Sequence, residues 1–109
     1  MKFSAPIVAM LVLAGGGPAA AGIPEYALVI KNHVYQPNEL KVAAGTKFKI
    51  RITNLDATPE EFESTDFNRE MVVLPNSSIV VYVGPLHAGS YGFFGDFHRQ
   101  TAEGRLIAQ

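Results

Sequence analysis

The chain has 109 residues, nine Lys and Arg against ten Asp and Glu, and a net charge of −1; that is room for one domain, with no basic stripe to suggest nucleic acid. Hydrophobic residues make up 48%, enough for a packed core and too many for a disordered chain. Cysteine is absent, which excludes disulfides, thiolate metal sites, iron–sulfur clusters and cysteine nucleophiles together.

The first segment reads as a targeting sequence. Lys2 precedes the apolar run Ile7–Leu13, and small residues follow up to Ala19-Ala20-Ala21. The run is too short to span a bilayer, and the A-x-A pattern before Gly22 is a signal-peptidase site. Residues 1–21 are expected to be a cleaved secretory signal, residues 22–109 the folded domain, and the periplasm its compartment; an uncleaved anchor is the alternative. A domain this small without disulfides must be stabilised by its core, a metal or a partner.

After Gly22 the pattern has period two. Tyr26, Leu28 and Ile30 share one face, then Leu40 and Val42. In "TKFKIRIT", Phe48, Ile50 and Ile52 alternate with Lys47, Lys49 and Arg51. Ile79, Val81 and Val83 repeat the pattern, and "SYGFFG" and "GRLIAQ" add two short strands. Turn signals such as "QPNE", "AAGT", "LPNSS" and "TAEG" punctuate the chain. Six to eight short strands at this spacing predict an all-β, Greek-key sandwich or barrel. Its core is expected to hold Phe48, Ile50, Ile52, Phe62, Val81 and Phe93.

Between Asn54 and Pro75 the clean alternation fails. Six of the ten acids fall here (Asp56, Glu60, Glu61, Glu63, Asp66 and Glu70) against one cation, Arg69. In an extended "EFE", Phe62 points one way and Glu61 and Glu63 the other. Carboxylates held that close repel and raise each other's pKa unless a cation lies between them. "GDFH" has the same shape: if extended, Asp96 and His98 flank Phe97 on one face. If the two segments meet at one end of the sandwich, Glu61, Glu63, Asp96 and His98 form an oxygen-rich metal site with one nitrogen. The plainer alternatives are a solvated face for the glutamates, a surface position for His98 and a turn at Asp96.

The stretches "IKNHVYQPNELKVAAGTKFKIRITNLD" and "GSYGFFGDFHRQTAEGRLIA" resemble the opening and the last hairpin of cupredoxin-like domains. With "TPEEFES" and "YGFFGDFH" as the specific parts, the chain is most similar to small periplasmic cupredoxin-like proteins of bacterial ferrous-iron uptake, over about Tyr26 to Gln109. Blue copper proteins use two His, one Cys and an axial Met. Carried over, the first His falls at Glu60 or Glu61, the Cys at Gly95, the second His at His98 and the Met near Glu103. One ligand of that set remains, so a type 1 copper centre is not expected. A harder site for iron, manganese or N,O-ligated copper is expected instead.

His33 is a further ligand candidate by the same resemblance, with a surface loop as the alternative. Met71 could offer a soft ligand to copper, although core packing is the plainer role; His87, Asp56, Asp66 and Glu70 read as solvent-facing. The resemblance implies a component that binds iron, copper or both, assists Fe(II) oxidation and passes iron to a periplasmic iron-binding partner and an inner-membrane permease. Self-association as a homodimer is left open. The competing reading is a metal-free module whose acidic patch docks a basic periplasmic partner. Hydrolysis by paired carboxylates is disfavoured, because so small a domain offers no deep pocket.

Overall fold

A computed structural model describes residues 22–109, so the expected signal segment lies outside the described residues. Nine strands follow one another: β1 Glu25–Lys31, β2 Val34–Gln36, β3 Glu39–Val42, β4 Phe48–Asn54, β5 Glu60–Ser64, β6 Arg69–Val73, β7 Ser78–Val83, β8 Gly89–Phe94 and β9 Glu103–Ala108. They form two sheets, ordered β2-β1-β4-β7 and β3-β9-β8-β5-β6. Each sheet contains one parallel pair, β1 with β4 and β3 with β9; the other pairs are antiparallel. The expected all-β sandwich is the fold that forms.

Period-two patterning decides most of this. In β4, Phe48, Ile50 and Ile52 are buried while Arg51 is exposed. All six expected core residues are buried, and Tyr35, Leu28, Ile30 and Leu106 join them. Tyr35, Phe62 and Phe93 pack together at centroid distances of 5.3 to 6.2 Å, with the Tyr35 ring edge-to-face against both phenyl rings; each such pair adds about 0.5–1.5 kcal/mol beyond its buried area. The Tyr35 hydroxyl donates to the Glu61 carbonyl at 2.5 Å, which ties the aromatic core to β5. Burial, then the charges of Glu60 and Glu61, raise the Tyr35 pKa, so the hydroxyl stays a donor.

The acidic stretch, where the clean alternation fails, contains the hairpin β5–β6. Its pattern is masked because Glu60 and Ser64 occupy the inward positions beside Phe62. Ser64 is accommodated there by donating to the Gly92 carbonyl at 2.7 Å. Asp96, Phe97 and His98 are not extended; they form a 3₁₀ turn, and Phe97 is 51% exposed rather than packed. Met71 is exposed on β6, not in the core: it shares a face with Phe62, its register partner, but lies on the edge strand of its sheet, where nothing covers it from the far side.

Candidate metal centre

Four chain segments gather at one end of the sandwich: the β1–β2 turn, the loop from β4 into β5, the β6–β7 turn and the segment between β8 and β9. The first is a two-residue hairpin turn, Asn32-His33, between the paired residues Lys31 and Val34. Both turn residues have positive φ, 54° and 62°. The Asp56 carboxylate accepts from the Asn32 N–H at 2.6 Å and from the His33 N–H at 3.0 Å. Burial alone would raise the Asp56 pKa, but hydrogen bonds with Glu60 and with the N–H groups of His33 and Asn32 hold it below its ordinary value. Asp56 is therefore not on a solvated face, as its sequence context suggested.

Glu60 lies at the centre of this end and has no exposed surface. Its Oε2 is 2.5 Å from His33 Nδ1 and its Oε1 is 2.9 Å from His98 Nδ1. The two imidazoles stack with centroids 3.5 Å apart and planes 15° from parallel. His33 comes from the β1–β2 turn, Glu60 from the start of β5 and His98 from the 3₁₀ turn. Their ligand atoms lie within 4.8 Å of one another. A carboxylate inside a sandwich is costly unless ionic or hydrogen-bonding partners offset its desolvation, and the histidines supply that compensation.

A second group, Glu61, Glu63 and Glu70, converges on the outer face of the five-stranded sheet. Glu63 and Glu70 are register partners across β5–β6. Glu61 is 3% exposed, because the 3₁₀ turn folds over it and the Asp96 N–H donates to its Oε1 at 2.7 Å. Burial pushes the Glu61 carboxyl up to about 7; the Asp96 N–H opposes this, and Glu70 and Glu63 add to it.

The single centre expected from "TPEEFES" and "GDFH" thus resolves into two. Strand parity separates them: Glu60 shares the inward face of Phe62, while Glu61 and Glu63 lie opposite. His33 and His98 join Glu60, not Glu61 or Glu63. Asp96 contributes its backbone N–H and keeps its side chain exposed. Glu103 joins neither group and lies 4.0 Å from Arg99 at the start of β9; Met71 is exposed on β6. Glu70, Asp56 and Asn54 were not singled out as site residues. Asn54 is fully buried; it donates to the carbonyls of Thr58, Val73 and Leu74, and its Oδ1 accepts from the Asp56 N–H at 2.8 Å. Its one mark in the sequence is an Asn at the position where the alternation Phe48, Ile50, Ile52 calls for another apolar residue.

The donor set decides what ion could be held. Two imidazole nitrogens and a carboxylate suit Cu(II), Zn(II) or Fe(II), and the same trio is the facial ligand set of many non-haem iron centres. Type 1 copper does not fit, since the chain has no thiolate. Gly95, where the resemblance places the cysteine, has no room for a side chain: a Cβ there would meet the Glu61 carbonyl at 2.7 Å and Ala102 Cβ at 3.1 Å.

A two-sheet β-sandwich with one parallel pair in each sheet and polar ligand-type residues on the loops at one end is a cupredoxin-like architecture. The chain belongs to the cupredoxin-like domain family, whose profile matches residues 4–108. It is 46% identical over 85 residues to an uncharacterized protein of Rickettsia prowazekii (strain Madrid E), covering 78% of this chain and 68% of that one. Among solved structures it is similar to auracyanin of Roseiflexus castenholzii, with a TM-score of 0.67 and 13% identity over 81% of this chain and 99% of that one. It is also similar to amicyanin of Paracoccus versutus, with a TM-score of 0.63 and 17% identity over 84% of this chain and 87% of that one. A copper-binding protein solved in its apo form gives a TM-score of 0.65 and 16% identity over 78% of this chain and 86% of that one. At these identities the likeness to solved structures shows the fold alone.

Proposed function

We propose that this protein is a periplasmic metal-binding protein with a thiol-free centre at His33, Glu60 and His98, acting in ferrous-iron uptake. The observation that carries the metal reading is the fully buried Glu60 carboxylate between two imidazole Nδ1 atoms. His33 and His98 would hold a copper or iron ion through nitrogen, and Glu60 through oxygen. An anionic oxygen ligand stabilises Fe(III) more than Fe(II), so iron held here would have a lowered reduction potential and would give up one electron more readily to a separate one-electron acceptor. The iron-uptake role is supported by the resemblance of "TPEEFES" and "YGFFGDFH" and by the hard donor set. A periplasmic iron-binding protein and an inner-membrane permease are the partners this role implies.

The test is calorimetric titration of chelator-treated protein with Cu(II), Fe(II) and Mn(II). One ion should bind per chain, with affinity sharply reduced in Glu60→Gln and His98→Ala and unchanged in Glu63→Gln. Metal at one hundred times Kd should add about 2.7 kcal/mol of stability. No binding, or equal affinity in all variants, would overturn the reading.

One observation favours a metal-free docking module instead. Among the described residues no buried side-chain nitrogen or oxygen lacks a hydrogen-bond partner, so the His–Glu–His group is satisfied without an ion. Thermal melts indifferent to every metal would give that reading the lead.

A further inference from the structure

We propose that Asp56 is the positioning residue of this centre: it holds the Asn32–His33 turn in its left-handed conformation and so aims the His33 imidazole at Glu60. The inference takes its functional meaning from the metal reading above, but its geometry stands apart from it.

A two-residue hairpin turn with positive φ at both positions favours Asn-Gly. Asn32 suits the first position. The second is a glycine position occupied by histidine, at φ 62°. A non-glycine residue held there is strained, and such strain persists only where surrounding structure imposes it. Asp56 is that structure. Each of its oxygens takes one N–H of the turn, from Asn32 and from His33, at 2.6 and 3.0 Å. Its Oδ2 also lies 3.4 Å from His33 Nδ1.

Asp56 is itself anchored. Its N–H donates to Asn54 Oδ1, and the Asn54 amide donates to three backbone carbonyls. The neighbouring Leu55 N–H donates to the Ile30 carbonyl at 2.9 Å. A continuous line of hydrogen bonds therefore runs from buried β4 through Asn54 and Asp56 to the backbone of His33. Glycine at 33 would make the turn easier to form. What histidine adds is an imidazole stacked on His98 and directed at Glu60.

Two measurements test this. The first is made on metal-free protein by proton–carbon NMR of the imidazoles. Rings stacked as closely as His33 and His98 shift each other's protons upfield. Asp56→Ala should abolish that mutual shift while His98 remains beside Glu60, and the milder Asp56→Asn should reduce it. An unchanged shift in both folded variants would overturn the proposal.

The second is a double-mutant cycle on Cu(II) affinity. Asp56→Ala should weaken binding by about tenfold to a hundredfold, the usual effect of losing a residue that orients a ligand. In a His33→Gly background it should have no further effect. Equal losses in both backgrounds would contradict the proposal and mark Asp56 as a direct ligand or a general stabiliser. If wild type binds no metal, the functional reading fails, and the NMR result still decides whether Asp56 positions His33.

Discussion

Replacing Glu61 with glutamine removes a buried carboxyl whose charge two other carboxylates oppose. Glu61 is almost fully covered, with Glu63 and Glu70 beside it, and its carboxyl is raised from an ordinary value of 4.5 to about 7. Between those two values the folded protein keeps a proton that the unfolded chain has released. The resulting stabilisation is complete below about pH 4.5 and is lost as pH rises through about 7. At ~1.4 kcal/mol per pH unit the interval amounts to roughly 3 kcal/mol.

Glutamine mimics the protonated acid and keeps an oxygen for the Asp96 N–H. Glu61→Gln should therefore match wild type within about 1 kcal/mol at acid pH and exceed it by roughly 2–3 kcal/mol at pH 8. The assay is urea unfolding in chelator across this range, comparing the two proteins at each pH so that every group they share cancels. Parallel stability curves would refute the reasoning, since they would mean that Glu61 ionises in the fold as freely as in the unfolded chain.

Three further outcomes follow from packing. Asn54→Ala should cost about 2–4 kcal/mol in denaturant melts, because it strands the buried Asp56 N–H and leaves the buried Val73 carbonyl and the part-buried Thr58 and Leu74 carbonyls without their donor. Gly104→Ala should destabilise by about 1–3 kcal/mol, since the added methyl would lie 2.4 Å from Phe93 Cζ and 2.8 Å from the Asn38 carbonyl; a thermal melt reads this directly. Gly95→Cys should also lower the melting temperature, and after copper loading its visible spectrum should lack the intense thiolate-to-Cu(II) band, because the Glu61 carbonyl blocks the site.

Where apolar and cationic residues alternate, as in β4, the strands are legible in the sequence. The β5–β6 hairpin is harder to read because Glu60 and Ser64 stand where apolar residues would mark the inward face. They can stand there because His33, His98 and the Gly92 carbonyl meet them, and all three partners are distant in sequence. The ligand-type residues were visible in the sequence, but their partition was not drawn from it. Parity places Glu60 with Phe62, so the same rule that set Glu61 and Glu63 outward also directs Glu60 inward. The 3₁₀ turn at Asp96 was not legible, because it depends on the Gly95 N–H reaching Ala102 and on the Asp96 N–H reaching Glu61. Asp56 is hidden for a related reason: the two N–H groups it holds belong to the backbone of a turn more than twenty residues away, which no side-chain pattern reports.

The most direct test of a thiol-free centre at His33, Glu60 and His98 is electron paramagnetic resonance of protein carrying one equivalent of Cu(II), with its histidines labelled by nitrogen-15. Two histidine nitrogens should couple to the copper, and Glu60→Gln should weaken binding and change the spectrum. A spectrum with no histidine coupling, or one unaltered by Glu60→Gln, would contradict that assignment.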